Sequence, residues 1–357
     1  MIKPLTSLRF FFAFMVFSLH ICNSFFFYMF DESGQWLSDN IFKEGYIGVG
    51  FFFMLSGFIL AYKYKERFWF GEISKKQFWL MRLIRIYPLH LLTLLISIPL
   101  VQILWRYNMK GIELPFLLNF YLLHSYVLPN GNWFWWFNTV SWSVSVEAFF
   151  YFSFPFIITF LKMNKKIVLL CFALLCFFVP ILMFVSNSWI RIEWFYINPF
   201  IRIVDFLIGI FLYEIYLEIK KRRLKIITVY AEVVSVAIFV LFFSMHKYVE
   251  PVYRFSCYYW IPIALIILTF AFQKGYVSSL LSKKHFVYLG NISFGFYMFH
   301  ALIIEYGLRI NADSKIFEKN YFVFIICLFL LSVFAGSLSY HFFEQPISKY
   351  LTKKYKR

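Results

Sequence analysis

Apolar runs alternate with short polar, mostly basic, segments along the whole chain. Runs of span length lie near residues 5–27, 46–62, 87–105, 141–161, 167–185, 199–217, 226–245, 255–273, 288–308 and 321–342. A helix needs about 20 apolar residues to cross the hydrocarbon core of a bilayer. The pattern therefore predicts an all-α polytopic membrane protein with about ten transmembrane helices. One further apolar stretch, 113–129, is short and bounded by Pro115 and Pro129. It is expected to form an interfacial or re-entrant helix on the outer side, because counting it as a span inverts every later loop.

Charge fixes the orientation of this pattern. With the N-terminus inside, the cytosolic segments hold 24 of the 35 Lys and Arg residues and the outer segments hold 9. That asymmetry follows the positive-inside rule and predicts two cytosolic termini. The net charge of +17 is thus an orientation signal first and an attraction for anionic lipid or cofactor second; no nucleic-acid partner is expected. A content of 62% hydrophobic and 15% charged residues excludes an ordinary soluble domain. No Ala-x-Ala-like cleavage site follows the first run, so that run is expected to be retained as a helix. The five cysteines form no Cys-x-x-Cys pair and suggest neither a disulfide framework nor a zinc site; no metal is expected. With no repeat, low-complexity linker or soluble segment, residues 1–357 read as a single membrane domain.

The first run, LTSLRFFFAFMVFSLHICNS, carries Arg9 and, eleven positions on, His20. Eleven residues make close to three helical turns, so the two side chains share a face about 16 Å apart along the axis. An arginine inside hydrocarbon is costly and normally faces a bundle interior or aqueous cavity, although a snorkelling anchor and a satisfied core histidine are the structural alternatives. In the second run, Gly45, Gly48, Gly50 and Gly57 with Ser56 form a small-residue surface suited to close helix packing or to room for a ligand. Arg82 and Arg85, one turn apart at the membrane edge, can clamp phosphate oxygens or serve as topological anchors. Ser143 and Glu147 share a helical face beside Trp142, and a carboxylate within a span needs a partner or a wet site. Tyr297 and His300 stand at i and i+3. Arg202 and Asp205, also three apart, are expected to neutralise one another, and Glu344 to pair with a basic residue.

Taken together, these pieces resemble the family-3 integral membrane acyltransferases, which include O-antigen and other surface-polysaccharide O-acetyltransferases. The matching blocks run in the family's order: LTSLRFFFAFMVFSLH, GYIGVGFFFMLSGFILAY, RLIRIYP, TVSWSVSVEAFFYFSFP, RIVDFLIGIF, ISFGFYMFH and SYHFFEQP. One departure is Gly50, where family members often carry Asp. Some relatives append a periplasmic esterase-like domain; none is expected here.

The resemblance implies transfer of an acyl group, usually acetyl, from cytosolic acyl-CoA to a hydroxyl of a lipid-linked or cell-surface glycan such as lipopolysaccharide. It places the chain in the plasma (inner) membrane of a bacterial cell, with acetyl-CoA as donor substrate and no permanently bound cofactor. It assigns the catalytic positions to His20, Arg9 and Glu147 and the acyl-CoA phosphate site to Arg82 and Arg85. Ser56, Trp142, Ser143, Tyr297 and His300 are possible lining residues. His20 acts as general base or transient acyl acceptor in this scheme. A glycan flippase or ion-coupled transporter, or a polysaccharide polymerase, would account for the intramembrane charges in another way.

Overall fold

The computed structural model describes residues 2–23, 32–104, 111–126, 136–185, 194–222, 230–317 and 320–355. The described residues are helical and contain no strand. Ten main helices match the ten apolar runs: α1 Lys3–Asn23, α2 Ile47–Trp69, α3 Lys75–Leu104, α4 Trp142–Met163, α5 Lys165–Val185, α6 Pro199–Lys221, α7 Ala231–Met245, α8 Trp260–Ala271, α9 Lys284–Ser314 and α10 Tyr321–Leu338. Among the described residues, eight helical stretches are long and apolar enough to cross a membrane. The two main helices outside that set are α6 and α8. The first carries Arg202, Asp205 and Glu214 within it, and the second is a regular helix of only 12 residues. On α5, Leu170, Phe177 and Phe184 are exposed, as are Phe322 and Phe334 on α10. Helices that are apolar all round and turn large side chains outward suit a hydrocarbon solvent.

Among the described residues of the short run 113–129, no helix is long enough to cross a membrane. They contain a helix of eight residues, Glu113–Phe120, and a single turn at His124–Tyr126; residues 127–129, with Pro129, lie outside the described part. Leu122 between them has φ 58°, a left-handed conformation that a branched side chain resists. It is held there by Ser145 Oγ, which donates to the Leu122 carbonyl at 2.6 Å.

The chain divides into two compact units, whose boundaries fall inside α1, α3, α4 and α9 and at the start of α2. The first comprises Met1–Phe12, Ile47–Trp79 and Phe149–Gly290. Its centre is the pairing of α2 with α6, which pack along most of their length. Glycines permit this approach. A methyl group on Gly57 would fall inside the van der Waals envelope of the Phe206 carbonyl oxygen, and one on Gly209 would strike that of Met54. Phenylalanines fill the remaining space. Phe150 stacks on Phe206 at 4.7 Å between centroids, and Phe53 meets Phe150 edge-on at 5.1 Å. Each ring brings both apolar area and a geometric preference to the core.

Arg202 and Asp205 neutralise one another in this unit, as their spacing predicts. Arg202 is 0% exposed, and its Nη2 lies 2.9 Å from Asp205 Oδ2. Arg202 Nη1 also donates to the Phe255 carbonyl, and Trp260 Nε1 donates to Asp205 Oδ1 at 2.5 Å. The guanidinium sits over the Phe53 and Tyr196 rings. A Cβ at Gly50 would lie 3.5 Å from Arg202 Nη2. Gly50 therefore faces the buried Arg202 guanidinium.

The second unit comprises Ala13–Tyr46, Leu80–Ala148 and Asn291–Arg357. Here α9 and α10 meet through glycines: a Cβ on Gly336 would lie 2.6 Å from the Phe296 backbone nitrogen, and one on Gly295 3.0 Å from the Gly336 carbonyl oxygen. Directly after α10 the helix widens into a π turn, Ser339–Glu344, before the terminal helix Gln345–Tyr355. Ser339 Oγ donates to Glu344 Oε1 at 3.2 Å across that turn. Such single turns accommodate one extra residue and recur at functional sites.

Candidate active site

Six of the residues expected in the site lie together in the second unit. His20, near the end of α1, meets His300 of α9 with ring centroids 5.1 Å apart and planes at 64°. One turn earlier on α9, the Tyr297 hydroxyl lies 2.9 Å from Ser143 Oγ, at the start of α4. Ser143 also donates to the Val140 carbonyl at 2.9 Å, which leaves its oxygen able to accept from the phenol. Trp142 is buried beside it, and Glu147, half-buried one turn along α4, acts electrostatically on the Tyr297 phenol.

Local sequence explains how these side chains arrive. The i, i+3 spacing of Tyr297 and His300 puts both on one face of α9, and Phe296 stacks along His300 at 5.8 Å. Phe17, one turn before His20, closes the same group at 6.1 Å from His300. The result is an imidazole pair in an aromatic surround. Tyrosine and serine stand beside it as hydroxyl donors.

The remaining expected residues occupy other positions. Arg82 and Arg85 lie half-buried on α3 in the same unit, with the Arg85 guanidinium 6.0 Å from the Phe294 ring. Arg9 is half-buried on α1 and Ser56 half-buried on α2, both within the first unit. Of the small residues in the second run, Gly57 serves packing against α6, and Gly45 packs against the Met15 backbone.

A buried polar network that the sequence reading did not single out supports the Ser143 end. His90 Nε2 lies 2.8 Å from the Asn119 carbonyl oxygen, and the His90 and His124 rings are parallel, 6.2 Å apart. His124 Nε2 lies 3.2 Å from Ser141 Oγ, which donates to the Asn138 carbonyl at 2.7 Å. Asn138 Nδ2 in turn donates to the Met298 carbonyl at 2.9 Å. The turn before α4 is thus tied to α9 at two adjacent residues, Tyr297 and Met298. Burial and then the neighbouring His90 push His124 down to about 3, so it remains neutral near pH 7 and acts through hydrogen bonds. The available signal was the density of polar residues in NTVSWSVSVE inside apolar surroundings.

An all-helical, multi-pass architecture holding paired imidazoles, a Tyr–Ser hydroxyl pair and an intramembrane carboxylate has the parts needed for group transfer to a hydroxyl. Comparison with known proteins defines the class more closely. The acyltransferase domain family matches residues 3–341. The chain belongs to that family and is a membrane acyltransferase. It is 28% identical to the acyltransferase MdmB of Streptomyces mycarofaciens, over 99% of this chain and 93% of MdmB. It is 25% identical to the peptidoglycan O-acetyltransferase OatA of Listeria monocytogenes, over 86% of this chain and 52% of OatA. The chain thus spans nearly all of one relative and about half of the other. No solved structure matches it.

Proposed function

We propose that this protein is an O-acyltransferase that moves an acyl group, acetyl in the first instance, from cytosolic acyl-CoA to a hydroxyl of a cell-surface polysaccharide or lipid-linked glycan. The observation that carries the reading is the meeting of His20 with His300 beside the Ser143–Tyr297 pair, in a chain of the acyltransferase family. The name of OatA, a peptidoglycan O-acetyltransferase, supports an acceptor in the cell envelope.

In this scheme His20 takes the proton of the acceptor hydroxyl as its oxygen attacks the thioester carbonyl. The C–S bond breaks, and the departing CoA thiolate receives that proton from the His20 imidazolium. An imidazole suits both proton transfers, because its ordinary pKa is near neutrality. Glu147 stabilises the positive charge that develops. Arg82 and Arg85 hold the CoA phosphates as charge-assisted donors, and the pantetheine arm carries the thioester to His20. Mass analysis of surface glycans from cells with and without the gene tests the reading. It predicts an acetyl increment only where the gene is present; substrate movement without CoA release would identify a transporter instead.

The phosphate assignment has its own expected result. Arg82→Ala together with Arg85→Ala should weaken acetyl-CoA binding by about ten- to a hundredfold, the equivalent of roughly 1.5–3 kcal/mol for lost hydrogen bonds to charged groups. Titration calorimetry on the purified, folded double variant checks this; unchanged affinity would reduce the two arginines to membrane anchors.

In a chain of ten spans, a cytosolic acyl-CoA site at Arg82 and Arg85 puts both termini inside. Cysteines introduced at Ser74 and Ser348 should react only with membrane-permeant reagents, and one at Asp313 with impermeant ones as well. Labelling of position 348 from outside intact cells would overturn that orientation.

A further inference from the structure

The scheme above leaves His300 without a task, although the side chain is unusual. It is 0% exposed, and neither ring nitrogen forms a hydrogen bond of good geometry, although the Phe296 and Tyr297 backbone of its own helix lies close. Its surroundings are the rings of Phe17, Phe296, Tyr297 and His20. A phenyl or isobutyl group would fill such a cage without stranding two polar atoms. Buried polar atoms left unsatisfied call for a reason beyond packing. Full burial separates His300 from direct contact with substrate, whereas His20, in front of it, is half-buried.

We propose that His300 is a positioning residue that sets the tautomer and ring orientation of His20. The inference rests on the acyltransferase reading of His20. To act as base, neutral His20 must present one bare nitrogen to the acceptor hydroxyl and therefore carry its proton on the other. A His300 nitrogen is placed to accept from that N–H. The centroid separation of 5.1 Å is one that a single N–H···N hydrogen bond spans once the rings turn toward each other. Catalytic hydrogen bonds of this kind commonly tighten only when substrate binds. His300 gains and loses no proton in the cycle; the proton passes from the acceptor hydroxyl to His20 and on to the CoA thiolate. The backbone beneath His300 is fixed for the task, because Ser143 meets Tyr297 and Asn138 holds the Met298 carbonyl.

The test separates packing from polarity in the full-length protein expressed in a bacterial host. Alkali-releasable acetate from the cell envelope reports transfer, and binding of acetyl-CoA to each purified variant reports folding and donor capture. His300→Phe keeps the aromatic packing and should bind acetyl-CoA within about twofold of wild type while losing about 100-fold or more in transfer, as expected when a general base is no longer held in place. His300→Gln, which restores a hydrogen-bonding group, should recover about a tenth of the wild-type rate or more. His300→Leu provides a second apolar packing should the phenyl ring not be accommodated. Wild-type transfer by His300→Phe or His300→Leu, or no recovery by His300→Gln, overturns the inference and leaves the acyltransferase reading intact. Absence of releasable acetate even with the wild-type protein overturns both.

Discussion

His20→Ala is expected to abolish acyl transfer while acyl-CoA binding stays close to the wild-type value. The side chain removed is the one placed to handle the acceptor proton, whereas the phosphates are assigned to Arg82 and Arg85. General acid–base contributions of this kind are worth about 10²–10⁴ in rate. The change leaves the apolar span of α1 intact, so the variant should insert and purify normally. Omitting the acceptor distinguishes the two routes open to an imidazole. An acyl-histidine route releases CoA in one burst equal to the enzyme concentration, and a general-base route releases none above background. Arg9→Lys should also impair transfer, since lysine keeps the charge but loses the planar fork. Acetylation at the wild-type rate by correctly inserted His20→Ala protein would sink the assignment.

The largest structural effect is expected at the α2–α6 interface. Gly57→Leu should prevent recovery of folded protein, because even a methyl group at this position would collide with the Phe206 carbonyl oxygen and approach the Ile210 nitrogen to 3.1 Å. Both obstacles are backbone atoms of a helix, so they cannot rotate away as a side chain can. Overpacking typically costs about 1–3 kcal/mol when side chains can adjust, and here the helices themselves must separate. Gly57→Ala should be the milder case, lowering the unfolding temperature of detergent-solubilised protein. Because Gly209 faces the Met54 carbonyl across the same interface, Gly57→Ala and Gly209→Ala should not add independently. A Gly57→Leu protein with a normal elution profile and melting curve would contradict this packing.

The apolar pattern revealed the architecture because membrane spans are written locally. Length and continuous hydrophobicity identify each helix without reference to its neighbours. The short Glu113–Phe120 helix was legible for the same reason: its stretch is too brief to cross. By contrast, α8 is shorter than its apolar run suggests, since the first residues of that run are spent on the short turn Cys257–Tyr259. Arg202 and Asp205 could be paired from sequence because they lie one helical turn apart. The His20–His300 contact could not, since 280 positions separate the two and periodicity says nothing about which helices become neighbours. His90, His124 and Asn138 escaped notice for that reason as well. Each looks like an isolated polar residue until three separate segments are brought together, and only then do the hydrogen bonds define a support for the α9 turn.

The π turn at Ser339–Glu344 also bears on which changes in chain length the C-terminal region can absorb. One residue corresponds to about 100° of rotation in an α-helix, so a deletion within α10 would swing every following side chain to a different azimuth. A π turn stores one surplus residue. Loss of a residue there, for instance at the exposed Phe342, would convert the turn to ordinary α-helix and leave Gln345–Tyr355 facing as before. The segment is in effect an expansion joint: related chains can differ by one residue at this point and keep the same rotational phase on either side.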